Sequence, residues 1–190
     1  MIIFGLDGCL ADCEHRRHFV DPKKRSPNGM FMNEERHESG IYVRRDPETL
    51  EATNEIWKPD WTAFYEACGE DKPIEPVIQI FQTLAQRGEL IQIWSGRCES
   101  VRYKTLEWLS KHIWGWGENY FHDLLKMRPI GDNTPGDQLK ARWLDEIYDE
   151  IKKGGKSTID FVFEDDPKCI AMYRSCGIFV FNSCQHDGEF

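Results

Sequence analysis

Four short stretches carry residues able to do chemistry, and each follows an apolar strand signal. Met1-Ile2-Ile3-Phe4 leads into Gly5-Leu6-Asp7-Gly8, and Leu90–Trp94 leads into Ser95-Gly96-Arg97. Leu124–Met127 precedes a loop and a helical stretch that carries Lys140, and Ile159–Phe163 leads into Glu164-Asp165-Asp166. In open parallel sheets, ligands sit beyond the carboxyl ends of the strands, near the point where strand order reverses. The pattern therefore predicts that a glycine-flanked aspartate, a hydroxyl, a lysine and an acidic run share one edge. Such a set suits phosphoryl transfer. Carboxylates hold Mg²⁺, which keeps several waters and contacts phosphate oxygens. The hydroxyl and backbone amides hold the remaining oxygens, and the lysine neutralises charge that builds in the transition state.

Each piece also has a plainer explanation. An aspartate in a turn after a strand is ordinary turn chemistry, Ser95-Gly96-Arg97 is compatible with any βα loop, and Lys140 is one of several lysines on an amphipathic helix. Glu164-Asp165-Asp166 resembles a helix N-cap with favourable dipole charges; capping would use one of the three and leave two for a metal. Their joint order favours the chemical explanation. The Cys9, Cys13, His15 and His18 cluster has the spacing C-x₃-C-x-H-x₂-H, which is not a usual zinc-finger spacing.

The elements that must position these residues are legible from periodicity. A fifth strand signal spans Ile178–Phe181. Residues 74–88 place Val77, Ile80, Phe81 and Leu84 on one helical face, with Pro76 in the first turn and Gly88 as the stop. Residues 99–113 repeat the pattern through Val101, Leu106, Leu109 and Ile113. Residues 136–155 do so through Leu139, Trp143, Ile147 and Ile151, and 167–177 form a shorter helix. Strands alternating with helices predict a parallel sheet covered on both faces. The rhythm breaks at about residues 19–57, which are polar and charged. A loop of that length in a compact domain is usually functional or disordered, and we expect a flap or small cap there, with a hairpin turning at Asp46-Pro47-Glu48.

Composition sets outer bounds. A chain of 190 residues with 40% hydrophobic and 30% charged content suits one soluble globular domain. No apolar run approaches membrane-spanning length, and the N-terminus lacks the basic region of a signal peptide. Seven scattered cysteines suit a reducing cytoplasm better than a disulfide scaffold. A net charge of −9 disfavours a nucleic-acid-coating surface. Basic residues nevertheless cluster at Arg16-Arg17, Lys23-Lys24-Arg25 and Arg44-Arg45, as they would beside something anionic. Nothing readable points to a membrane or an obligate protein partner.

These motifs resemble, in order and spacing, the haloacid-dehalogenase (HAD) superfamily of phosphatases. Further stretches narrow the likeness: "HRRH", "DWTAFYEAC", "KPIEPVIQIFQTL", "IWSGRCESVRYKTLEWL", "MRPIGD" and "FVFEDDPKCIAMYRSCG". Together they are similar to the 3′-phosphatase domain of phage-type polynucleotide kinase–phosphatases, over nearly the whole chain except about 19–57. These residues contain no G-x-x-x-x-G-K-[ST] kinase loop. The resemblance implies a three-layer α/β/α sandwich with a Rossmann-type, five-stranded parallel sheet, forming one domain with an inserted flap. It implies that Asp7 is the general acid/base and lends its backbone carbonyl to Mg²⁺. Ser95 would bind the phosphoryl group, Lys140 would clamp it, and Glu164 with Asp165 would complete the metal site. Arg16, Gly96, Arg97 and Arg128 would contact substrate. The acidic residue expected four before the lysine is Gly136 here, with Asp137 one step off register.

The largest departure is Gly5. The family attacks phosphorus with a carboxylate at this position and forms an aspartyl-phosphate; glycine has none. Either Gly5 is an inactivating change in an otherwise intact enzyme, or the chain is a natural relative that binds without turnover. The survival of the other motifs favours the first. The expected function is Mg²⁺-dependent hydrolysis of a phosphomonoester on a nucleotide or a short nucleic-acid 3′ end, impaired at Gly5. The alternatives are an inactive nucleotide-binding protein and a phosphatase of a non-nucleotide ester.

Overall fold

The computed structural model describes residues 1–21, 58–155 and 158–183, and the backbone of 35–36, 42–45 and 52–56. In chain order the strands and helices begin with β1 (Ile2–Gly5), β2 (Ala11–Asp12), β3 (Glu35–Arg36), β4 (Tyr42–Arg45), β5 (Ala52–Ile56), α1 (Trp61–Glu66) and β6 (Lys72–Pro73). They continue with α2 (Glu75–Gln86), β7 (Ile91–Cys98), α3 (Arg102–His112), α4 (Glu118–Leu124), β8 (Leu125–Arg128), α5 (Gly136–Lys152), β9 (Phe161–Glu164), α6 (Pro167–Ser175) and β10 (Val180–Asn182). The chain separates into two compact units: Met1–Cys13 with Cys68–Phe190, and Glu14–Ala67.

The larger unit is built on a five-stranded sheet of order β10-β9-β1-β7-β8, with every pairing parallel. Strand order reverses at β1, which pairs with β7 on one side and β9 on the other. Ile2 lies opposite both Ile91 and Phe161, and Gly5 lies opposite Trp94. All of β1 is buried, as a strand covered on both faces must be. Ile3 faces a core formed with Trp94, Val162 and the apolar sides of α5 and α6, through Leu139, Trp143, Leu144, Ile170 and Tyr173. Phe4 faces the other way, edge-on to Phe81 of α2 at 5.2 Å and stacked on Phe163 at 4.5 Å. Phe81 in turn meets Phe121 of α4. The result is the α/β/α sandwich that the sequence predicts.

Most predicted elements stand where periodicity puts them, with informative exceptions. On α2 the buried residues are Val77, Ile78 and Phe81, while Ile80 is 42% exposed. The helix aims a face centred on the i, i+3, i+4, i+7 set Ile74, Val77, Ile78 and Phe81 at the sheet, which leaves Ile80 out of phase. β7 continues past Trp94 to Cys98 because Ser95 and Cys98 still pair with Met127 and Arg128 of β8 across a register shift. The loop that bears the hydroxyl is thus tethered to the sheet. Two helices escaped the sequence analysis. α1 is short and is capped by the Asp60 carboxylate, which accepts from the Ala63 amide at 2.9 Å. α4 abuts β8 without a linker, so the apolar run at 124–127 hides the boundary.

The smaller unit holds a 3₁₀ turn at Glu14–Phe19, the antiparallel sheet β3-β4-β5 and α1. The expected hairpin is present as β4 and β5, with Val43 opposite Ile56 and Arg45 opposite Ala52. Its turn, Lys23–Arg25, and the side chains of Arg44 and Arg45 lie outside the described residues. Among the described residues, no helix is long and apolar enough to cross a membrane.

The aromatic contact that anchors β1 yields a test. Phe4→Ala removes a fully buried ring with two ring partners, so it should lower unfolding free energy by about 3–5 kcal/mol. Urea denaturation should show an earlier midpoint with an unchanged slope.

Candidate active site

The loop after β1 is wound tightly about one carbonyl: the amides of Leu10 and Ala11 both donate to the Leu6 oxygen at 2.9 Å, and the Gly8 amide donates to the Ala11 oxygen at 2.8 Å. Gly8 has φ +73°, and a Cβ there would fall 1.8 Å from the Asp165 carboxylate. Only glycine permits this backbone and this approach. The loops after β1 and β9 are therefore in direct contact, with Asp165 against the turn that carries Asp7.

Asp7 is gripped from β7. Its Oδ1 accepts from Arg97 Nε at 2.8 Å and from Arg97 Nη2 at 2.5 Å. The same Nη2 donates to Oδ2 of Asp71 at 2.5 Å, and Nη1 reaches the Thr105 hydroxyl on α3 at 3.4 Å. Arg97 and the Asp71 side chain are fully buried, whereas the Asp7 side chain keeps 17% exposure. The side chain expected to meet substrate thus has its guanidinium directed at carboxylates. Ser95, also buried, accepts from the Arg97 amide at 3.1 Å, which orients the hydroxyl within its own loop.

Lys140, in the first turns of α5, donates to Glu164 Oε2 at 2.6 Å with both groups almost wholly buried. Burial by itself would lower the lysine pKa, but the Glu164 carboxylate holds it well above its ordinary 10.5, so the ammonium stays charged. The other Glu164 oxygen accepts from the amides of Asp165 and Asp166 at 3.3 Å each. Asp166 caps α6, accepting from the amides of Lys168 and Cys169. Capping thus uses Asp166, while Glu164 is engaged by Lys140 and the two amides. Burial and the neighbouring Glu164 charge push the Asp165 carboxyl up to about 8, with a smaller push from Asp7.

Gly5 closes the strand at the centre of this set. A Cβ built on it would meet Cys9 Cβ at 3.3 Å, the Phe163 carbonyl at 3.4 Å and Glu164 Oε1 at 3.5 Å. Its φ is not left-handed, so the backbone does not demand glycine. Cys9, packed beneath, has its thiol pKa raised by burial and is no substitute nucleophile at neutral pH.

Three further predicted residues, Arg128, Gly96 and Arg16, have partners of their own. Arg128, at the end of β8, fastens loops: its Nε donates to the Gly96 carbonyl at 2.9 Å and its Nη1 to the carbonyls of Thr134 at 2.5 Å and Asp132 at 3.3 Å. Gly96 meets Arg128 through that carbonyl. Arg16 belongs to the smaller unit, where its guanidinium lies 4.1 Å from the Phe64 ring centroid and donates to the Phe64 carbonyl at 3.2 Å. Gly136 opens α5, where a Cβ would have the Asp166 carboxylate 3.9 Å away. Sequence analysis missed Asp71 altogether. It sits in the charged run Glu70-Asp71-Lys72, which reads as surface.

The donors fit a magnesium ion better than zinc. Asp165 is a carboxylate whose surroundings resist its charge, as a cation would relieve, and it lies against the turn whose Asp7 carbonyl the family resemblance assigns to the metal. Among the described residues, no set of three His, Cys, Asp or Glu side chains closes on one point. A strongly hydrated ion held by one or two carboxylates needs no such set.

Comparison with known proteins bears on this arrangement. Two solved structures share the fold. One is described as the structure of the Pnkp1/Rnl/Hen1 RNA repair complex, at 21% identity and a TM-score of 0.56, over 95% of this chain and 41% of that one. The other is described as the structure of the Pnkp1/Rnl/Hen1 complex, at 22% identity and a TM-score of 0.57, over 96% and 45%. The chain thus spans less than half the length of the chains it matches. No curated protein sequence matches it. Residues 60–190 match the family model for the phosphatase domain of the polynucleotide kinase PNKP. That stretch contains Ser95, Lys140, Glu164 and Asp165. By this match the chain belongs to the PNKP phosphatase domain family of the HAD superfamily.

Proposed function

We propose that the chain is a Mg²⁺-dependent phosphomonoesterase scaffold for a nucleotide or a nucleic-acid 3′-phosphate end, with its nucleophile lost at Gly5. The observation that carries this reading is the room at Gly5. Gly5 is a position whose backbone is not left-handed and whose added Cβ would meet Cys9, the Phe163 carbonyl and Glu164 Oε1 at 3.3–3.5 Å, so neighbours need give only a few tenths of an ångström. Asp7 cannot replace the missing group, because its carboxylate is held by Arg97. The RNA repair complexes that share the fold are consistent with a nucleic-acid end as substrate, and the net charge of −9 favours a short one. We place the chain in one HAD-like domain with a flap at about 19–57 and, from its reduced cysteines, in the cytoplasm.

The roles follow from position. The carboxylate supplied by Gly5→Asp attacks phosphorus, and the bond to the ester oxygen breaks as Asp7 gives that oxygen its proton. Asp7 then takes a proton from the water that cleaves the phospho-aspartate, releasing phosphate and restoring both carboxyl groups. Ser95 holds a phosphoryl oxygen, and Lys140, kept charged by Glu164, offsets the developing negative charge. Arg16 and Arg128 are proposed to contact substrate phosphate. Magnesium, when bound by Asp165, Glu164 and the Asp7 carbonyl, supplies charge neutralisation of the phosphoryl oxygens.

Gly5→Asp should raise magnesium-dependent phosphate release from 3′-phosphorylated nucleotides and oligonucleotides by about 10⁴–10⁶-fold over the glycine chain. Adding Asp7→Asn should abolish most of the gain. A restored protein that binds these compounds but stays inert across a broad ester panel refutes the phosphatase reading and supports a binding protein.

Asp165 gives the second test. A carboxyl whose folded pKa is about 8 against an ordinary 3.8 binds its proton more tightly when folded. Its contribution to stability is therefore full below pH 4 and is lost as pH rises through 8. Magnesium at about ten times its Kd adds about 1.4 kcal/mol and competes with that proton. The melting temperature should therefore rise with magnesium at pH 8, hardly change at pH 5, and show no magnesium response in Asp165→Asn. Equal shifts at both pH values would remove Asp165 from the metal site.

A further inference from the structure

Tyr173 of α6 is fully buried, and among the described residues its hydroxyl has no hydrogen-bond partner. Such a group is costly, and nearly all buried polar groups in native proteins are satisfied by protein or by ordered water. The packing of two helices fixes what surrounds it. α5 joins β8 to β9 and α6 joins β9 to β10, so both start at the carboxyl edge of the parallel sheet and run back the same way. They meet near their first turns, where a Cβ on Gly136 would lie 4.0 Å from the Cys169 sulfur. Lys140 and Tyr173 each stand four residues further along the same helix face. The register therefore brings the phenol beside the ammonium. The charges act accordingly: burial holds the phenol pKa well above its ordinary 10, the Lys140 charge opposes that rise and the Glu164 charge adds to it.

We propose that one ordered water bridges Tyr173 and Lys140 in the interior, accepting from the phenol O–H and from the ammonium and donating to the Glu164 carboxylate. Tyr173 is then a positioning residue that acts on Lys140 through this water. Three hydrogen bonds are the usual complement of a buried water. Lys140 has three N–H donors, and Glu164 takes one of them at 2.6 Å. With the water taking a second, the ammonium no longer turns about its last bond, and the third N–H keeps one direction. A hydroxyl on α6 thus helps to aim a cation carried by α5.

The water stands without the phosphatase reading, and only its kinetic consequence rests on that reading. A high-resolution crystal structure of the glycine chain should show a water oxygen about 2.7–3.2 Å from both Tyr173 Oη and Lys140 Nζ. Tyr173→Phe should lower the melting temperature by about 2–4 °C, because the water and the ammonium lose a partner. Were the hydroxyl dry, the same change would leave the melting temperature alone or raise it, since an unsatisfied group would be removed. The Lys140 ammonium resonance, assigned by its loss in Lys140→Arg, should exchange with solvent about tenfold faster or more in Tyr173→Phe. In the Gly5→Asp background, Tyr173→Phe should lower kcat by about tenfold with KM little changed. The proposal is overturned by density without the water, by a melting temperature that holds or rises, or by unchanged ammonium exchange. Full kcat in an active Gly5→Asp, Tyr173→Phe protein overturns it too. If Gly5→Asp alone proves inert, the phosphatase reading fails, and the density, melting and exchange measurements decide the role of Tyr173.

Discussion

Carboxylates crowded at the end of one buried strand can coexist only if cations are buried with them. Arg97 holds Asp7 and Asp71, and Lys140 holds Glu164, while Asp165 lies among them with neither cation bonded to it in the described contacts. Each cation reaches its partners from a different element, α5 for one and β7 for the other, so the charge pairing also fixes how those elements meet β1. Unpaired, any of these groups would be costly in a low-dielectric interior. Asp165 is the member least compensated, and its carboxyl accordingly resists ionisation.

The position of β1 follows from the same economy of burial. A strand apolar on both faces must lie in the middle of a sheet with helices on each side. Reversal of strand order at β1 then opens a crevice at its carboxyl end. Phe4 and Ile3 secure the strand from opposite faces. Gly8 allows the next turn to close against Asp165. Packing and chemistry therefore share the same eight residues at the start of the chain.

Gly5 alters this balance without disturbing the frame. A glycine there adds no negative charge to a neighbourhood already rich in them, and Lys140 bonds Glu164. The glycine chain is electrostatically easier to fold than its carboxylate-bearing counterpart would be, because one fewer like charge must be accommodated near Glu164. A glycine at position 5 and retention of the frame are thus physically compatible.

Alternation of short apolar strands with amphipathic helices was enough to determine the sandwich, the five parallel strands and the loops that meet at their carboxyl ends. Read with the order and spacing of the motifs, it also marked Asp7, Ser95, Lys140 and Glu164-Asp165 as candidates, because motif order along a parallel sheet maps onto position along one edge. Sequence could not show which way Arg97 turns, since its partners Asp7 and Asp71 lie 90 and 26 residues away. Nor could it separate Ile78 from Ile80 on α2, because both are apolar and only the docking angle of the helix on the sheet decides which is covered. Asp71 remained invisible for the same reason: its charge marks it as surface, and only the tertiary approach of a buried arginine makes the interior the better place for it.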